Sequence, residues 1–195
     1  MSNEETESVL RLQIDATDGQ ARTGVVHTAR GSFRTPCFMP VGTRAAVRTL
    51  TSADLEKLGA EVILGNTYHL MLKPGADLIE RFGGLHGFAD WHGHVLTDSG
   101  GFQIFSLEPK VTDEGATFKS TYDGSYHHLS AEGSVEVQQK LGSDIQMVLD
   151  VCPPLPSTEA VVRAALERSV LWAGRAKAAQ APARANGSKQ AQFGI

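Results

Sequence analysis

HVLTDSGG, residues 94–101, reads as a short apolar strand, His94 to Asp98, that ends in a carboxylate and runs into a glycine pair. Two other stretches repeat the pattern. EVILGN, residues 61–66, ends in Asn66, and SDIQMVLD, residues 143–150, ends in Asp150. Both are too short and too uniformly apolar for surface helices and read as buried parallel strands. An earlier strand falls near Cys37 to Val41 and a later one from residue 191 onward.

Helix signals separate most of these strands. Thr51 is an N-cap with Asp54 three residues on, Leu55 and Leu58 supply an apolar stripe, and Gly59 is a stop. GADLIERFGG places a second short helix around residues 75–82. Ser130 caps a third that runs to Leu141 and stops at Gly142. Ser157 caps a long fourth, with Val162, Leu166, Val170 and Ala173 recurring on one face until APARANGSKQ, residues 181–190, breaks it. Leu10 to Val41 reads as an antiparallel β section, and Glu108 to Leu129 as a β-hairpin insertion outside the repeat.

Such a βα series builds either a doubly wound sheet or a (β/α)8 TIM-type barrel. Asn66, Asp98 and Asp150 all fall at strand C-terminal ends, where a barrel collects its chemistry. No G-x-G-x-x-G follows a strand and no G-x-x-x-x-G-K occurs, so the expectation is an α/β fold of the barrel type.

The 195 residues are 41% hydrophobic, enough for a sizeable core, with a net charge of −4. Disorder, collagen and a disulfide scaffold are disfavoured. Cys37 and Cys152 belong to no C-x-x-C or Cys/His cluster, which points to a reduced, cytoplasmic chain without a metal site. The acidic opening MSNEETESVLRL is unlike a secretory signal, and no apolar run is long enough to span a bilayer. From residue 161 onward, six basic residues face the single acid Glu167, read as a solvated helix face or a contribution to nucleic-acid contact. The ending SKQAQFGI reads as cut.

Asp98, followed by Ser99, Gly100 and Gly101, is the sharpest local site: a general acid/base, an acceptor for an amidine-like base edge, or a cap on the next segment. Asp150, with Cys152 two residues on, would face the same mouth, and paired carboxylates permit glycosyl transfer without specifying it. Phe102 and Gln103 combine a flat apolar face with an amide and can hold a planar base, although Phe102 also suits a core. Asn66, Tyr68 and His69 occupy the loop after the second parallel strand, His69 being open to a purely structural role. Cys152 reads as a packed or substrate-facing thiol, not a nucleophile. His92, His94, His127 and His128 complete no ligand set.

VGT at 41–43, ILGNTYHL at 63–70, TDSGGFQIFSL at 97–107 and GSDIQMVLDVCPPLP at 142–156 closely resemble the tRNA-guanine transglycosylase family, of the bacterial type. The resemblance implies a pentosyltransferase of queuosine biosynthesis. It would exchange guanine at the wobble position of tRNAs with GUN anticodons for 7-aminomethyl-7-deazaguanine by double displacement. It implies that Asp98 is the acid/base and that Phe102 stacks on the base. Asp150 would bind the base's amino and ring N–H edge, with Ser99, Gln103 and Cys152 completing the pocket. Val41, Leu64 and Asn66 would lie against the ribose and its surroundings.

The same resemblance implies a homodimer when full length and a zinc site whose ligands, like the nucleophilic aspartate, belong to a C-terminal half not present in these residues. On this reading residues 1–9 are a flexible N-terminus. Residues 10–195 are the N-terminal half of the barrel domain, truncated at the start of about the fifth barrel strand and inactive alone. The alternative is a non-catalytic 7-deazaguanine- or RNA-binding module or partner subunit.

Overall fold

A computed structural model describes residues 9–195; the expected flexible N-terminus lies, apart from Val9, outside the described residues. Three antiparallel strands open the fold: β1 (Leu10–Asp18), β2 (Ala21–Thr28) and β3 (Gly31–Thr35), paired in that order. The chain then alternates. β4 (Val41–Gly42) leads to α1 (Ser52–Lys57), and β5 (Val62–Gly65) to α2 (Thr67–Leu72), α3 (Ala76–Arg81) and α4 (Gly84–Ala89). β6 (His94–Thr97) leads to α5 (Gly101–Phe105) and a three-stranded antiparallel insert of β7 (Lys110–Val111), β8 (Ala116–Lys119) and β9 (Tyr126–Leu129). After α6 (Ala131–Leu141) come β10 (Ile145–Met147), α7 (Glu159–Ala185) and β11 (Ala191–Phe193).

The five strands β4, β5, β6, β10 and β11 form one parallel sheet in chain order, each beside its predecessor. The order never reverses, so the switch point that defines a doubly wound sheet does not occur in it. The fold is mixed α/β with an open parallel sheet; among the described residues no closed barrel forms.

Burial on both faces explains the uniformly apolar strands. Val62 and Ile145 pack against Val26 and Phe33 of the antiparallel sheet. One residue along, Ile63 and Val95 turn to the helices and meet Leu55, Leu70, Ile79, Leu85 and Leu141. A buried polar network also fixes α6 to the sheet. The Thr97 hydroxyl donates to Gln138 Oε1, and the Gln138 amide donates to the Ser134 and Met147 carbonyls.

Several local expectations are refined. Thr51 and Asp54 form a reciprocal capping box, and Gly142 ends α6 at φ 65°. The crossover after β5 holds three short helices where the sequence suggested one, and the insert has three strands rather than two. Thr158, not Ser157, caps α7. That helix continues through Pro182 to Ala185, its end held by Gln180, whose side-chain amide donates to the Gln190 carbonyl. Of its expected apolar face, Val162, Leu166, Val170 and Ala173, only Ala173 packs against the core. Val162, Leu166 and Val170 are exposed, while Ala165, Trp172, Ala176 and Gln180 are buried. The small alanines allow close approach, and the Trp172 indole N–H finds the Asp113 carbonyl at 2.8 Å.

Candidate active site

Asp98 follows directly on β6, at the C-terminal edge of the sheet. Four donors hold its carboxylate. The backbone N–H groups of Thr67 and Gly100 reach Oδ1 at 2.8 and 3.1 Å, while the side-chain amides of Asn66 and Gln103 donate to Oδ2. The Thr67 hydroxyl also donates to the Asp98 carbonyl. The loop after β5 thus orients a side chain that belongs to β6, an arrangement available only because the two strands are parallel neighbours.

The glycine pair brings the second carboxylate close. Gly100 turns the chain at φ 82°, a left-handed conformation that favours glycine. At Gly101, the first residue of α5, a Cβ would lie 2.9 Å from Asp150 Oδ1 and 3.1 Å from Ser99 Oγ, so only hydrogen fits. The Ser99 hydroxyl donates to Asp150 Oδ1 at 3.3 Å and the Cys152 thiol to Oδ2 at 3.1 Å. Burial, together with the Asp150 hydrogen bond and charge, pushes the Cys152 thiol up to about 12. At neutral pH it is therefore a protonated donor and not a nucleophile.

Asp98, Ser99, Phe102, Gln103, Asp150 and Cys152 line one cavity of about 210 Å³, with Gly100, Gly101, Met147 and Ile195. That is far more room than one water needs. Phe102 presents an exposed ring, and Gln103 Oε1 is buried with no partner among the described residues. Two carboxylates, an apolar ring and an unanswered acceptor suit a flat ligand edged with N–H donors. Larger clefts exist, one of about 550 Å³ around Arg30, Asp144 and Lys189 and one of about 540 Å³ beside Cys37 and Leu58, but neither joins two aspartates.

Not every sequence candidate converges here. Asn66 reaches the site through Asp98, whereas Val41 and Leu64, partners across β4 and β5, lie outside the cavity lining. Thr67 and Met147 went unremarked in the sequence, although Thr67 directly follows Asn66, which stands in the same post-strand position as Asp98. The histidines disperse: His92 bonds Glu56, His94 Thr28, His127 Ser125 and His128 Thr117. Among the described residues no three His, Cys, Asp or Glu side chains gather as a metal site. No described helix is long and apolar enough to cross a membrane.

Comparison with known proteins bears on the same residues. The family model for queuine tRNA-ribosyltransferase matches residues 17–195. The chain belongs to the queuine tRNA-ribosyltransferase family. It is 52% identical over 170 residues to the queuine tRNA-ribosyltransferase of Cereibacter sphaeroides, covering 86% of this chain and 45% of that one. To the proteins of that name from Novosphingobium aromaticivorans and Zymomonas mobilis it is 49% and 50% identical over 186 residues, 94% of this chain and 50% and 48% of theirs. It therefore spans about half the length of the curated relatives it matches. The queuine tRNA-ribosyltransferase match begins inside β1, so it takes in most of the antiparallel sheet as well as the parallel one.

Proposed function

We propose that this chain carries the base pocket of a tRNA-guanine transglycosylase, a pentosyltransferase that exchanges guanine at the wobble position of GUN-anticodon tRNAs for 7-aminomethyl-7-deazaguanine. The observation that carries the reading is the convergence of Asp98 and Asp150 on one cavity behind Gly101. In it, Asp150 accepts from the amino and ring N–H edge of the base, an array that two carboxylate oxygens match in parallel. Ser99 and Cys152 hold that carboxylate from behind, Phe102 covers the face of the base, and Gln103 offers its unpartnered Oε1. Asn66 positions Asp98 and stands nearest the ribose, with Val41 and Leu64 further along the same side.

The reaction is a double displacement. The flipped nucleotide enters the mouth, a carboxylate attacks C1′ of the ribose, and guanine leaves with a proton supplied at Asp98. The deazaguanine then gives up a ring proton to Asp98, attacks C1′ and releases the enzyme carboxylate. Asp150, engaged with the base edge, is not that nucleophile, which belongs to the rest of a full-length protein. Zinc, which the family binds, finds no donor set in the described residues and has no step here. The in-order strands support reading the open sheet as the N-terminal half of a (β/α)8 barrel, residues 10–195, and a full-length cytoplasmic homodimer completes the reading.

Calorimetry with 7-aminomethyl-7-deazaguanine tests the pocket. The 195-residue chain is expected to bind it, and Asp150→Asn to bind at least about tenfold more weakly, as loss of a charged hydrogen-bond partner requires. No heat from a folded chain would overturn the reading. Labelled guanine should not enter tRNA with this chain alone. Base or RNA binding that persists without exchange in the full-length protein would point instead to a non-catalytic module or partner subunit.

A further inference from the structure

The cavity holds two carboxylates and no basic residue in its lining. A polyanion that delivers a base there needs positive charge nearby to offset the repulsion. The arginines of α7 do not provide it: Arg163, Arg168 and Arg175 are paired with Glu159, Asp113 and Glu132, and Arg184, in the last turn, lies at the end of α7 that leads into the start of β11, away from the strand C-termini. Arg30 is paired with Asp144.

Arg44 is placed differently. It lies two residues beyond β4, and because β4, β5 and β6 are parallel neighbours, the loops that follow them share one rim. Arg44 stands on the first of these segments, Asn66 and the first turn of α2 up to His69 on the second, and Asp98 on the third. Arg44 is exposed and forms no ion pair among the described residues. His69 is half-buried, its Nδ1 2.9 Å from the Tyr122 hydroxyl at the tip of the β insert, and its Nε2 meets no protein partner. Burial holds the His69 imidazole below its usual value, with the charge of Asp98 pulling the other way and that of Arg44 adding to the effect. Both charges are thus within electrostatic reach of the ring, which is neutral at pH 7.

We propose that Arg44, with His69 beside it, holds the ribose–phosphate backbone next to the exchanged nucleotide. The inference rests on reading the cavity as the site of a base still attached to RNA. A guanidinium presents a planar fork that matches two phosphate oxygens at once, and phosphate contacts position a nucleic acid without reading its sequence. The neutral imidazole adds a hydrogen bond without adding charge. The rim would then grip the backbone while the acidic pocket reads the base.

The test is binding of a GUN anticodon stem–loop across a salt series, beside calorimetry with the free base. Arg44→Ala is expected to weaken RNA binding several-fold and to lower the slope of log affinity against log salt by about 0.7–1, the loss of one phosphate contact. Free-base affinity should stay unchanged. Arg44→Lys, a point charge without the fork, should restore the salt slope but only part of the affinity. Thermal unfolding should not move, since Arg44 is exposed and unpaired. RNA affinity and slope unchanged in Arg44→Ala would overturn the proposal. A chain that binds the free base but no RNA would overturn it too while leaving the pocket intact, whereas binding of neither would overturn the base-pocket reading itself.

Discussion

Cys152 reads from the sequence as a packed or substrate-facing thiol, and its surroundings show why it is not a nucleophile. Half-buried and donating to a carboxylate, its thiol lies near 12, so the thiolate is scarce at any physiological pH. Alkylation by iodoacetamide is expected to be far slower at Cys152 than at an ordinary cysteine at pH 8, and Asp150→Asn should accelerate it by removing the charge that opposes ionisation. Mass spectrometry of the alkylated peptide reads this directly; fast labelling of Cys152 in the unsubstituted chain would contradict it. Asp98, Ser99, Asp150 and Cys152 were legible as a group because each falls shortly past an apolar strand, where side chains of neighbouring strands meet, and Gln103 was legible through its place after the glycine pair. The Thr67 and Gly100 N–H groups on Asp98 were not, because any residue carries a backbone donor and only the fold aims it. Val41 and Leu64 share the sheet but not the cavity, because they lie on β4 and β5 while the lining comes from the ends of β6 and β10 and from Ile195.

At the level of elements, chemistry local to a few residues was readable and packing across the chain was not. Ser130 is a case of the first kind: its hydroxyl accepts from the Gly133 N–H at 3.0 Å, and α6 brings Ala131, Val135 and Leu141 into the core. Ser130→Ala should lower stability by about 1 kcal/mol, the ordinary value of an N-cap, measured as a shift in urea midpoint at unchanged slope. A shift near zero would mean that tertiary packing alone sets the start of α6. In α7, by contrast, the residues that look like a buried stripe, Val162, Leu166 and Val170, face solvent. What selects the packed face is Trp172, anchored on Asp113 of the insert, and no periodicity within α7 reveals a partner 59 residues away.

Across the whole molecule, Asp144 joins three parts that the sequence reads as separate. Its carboxylate accepts from Arg30 in the turn between β2 and β3 at 2.8 Å, from His86 in α4 at 3.0 Å and from the Val95 N–H in β6 at 2.8 Å. The antiparallel sheet is thereby clamped to the start of the parallel one, 114 residues apart in the chain for Arg30. Burial alone would raise the carboxyl, but the hydrogen bonds from His86, Val95 and Arg30 outweigh it and hold Asp144 below the usual carboxylate range. A folded-state value below the unfolded one makes this contribution complete above about pH 4, the unfolded aspartate value. It is lost as pH falls through the lower folded value. Asp144→Ala should therefore cost about 2 kcal/mol at neutral pH, where it strands the donors on its three neighbours. The difference between the two proteins in urea midpoint should shrink steadily as pH drops below 4. A difference that stays constant down to pH 2 would show that Asp144 acts through packing and not through its charge, and the clamp between the two sheets would have to be sought in Val26, Phe33 and Ile145 instead.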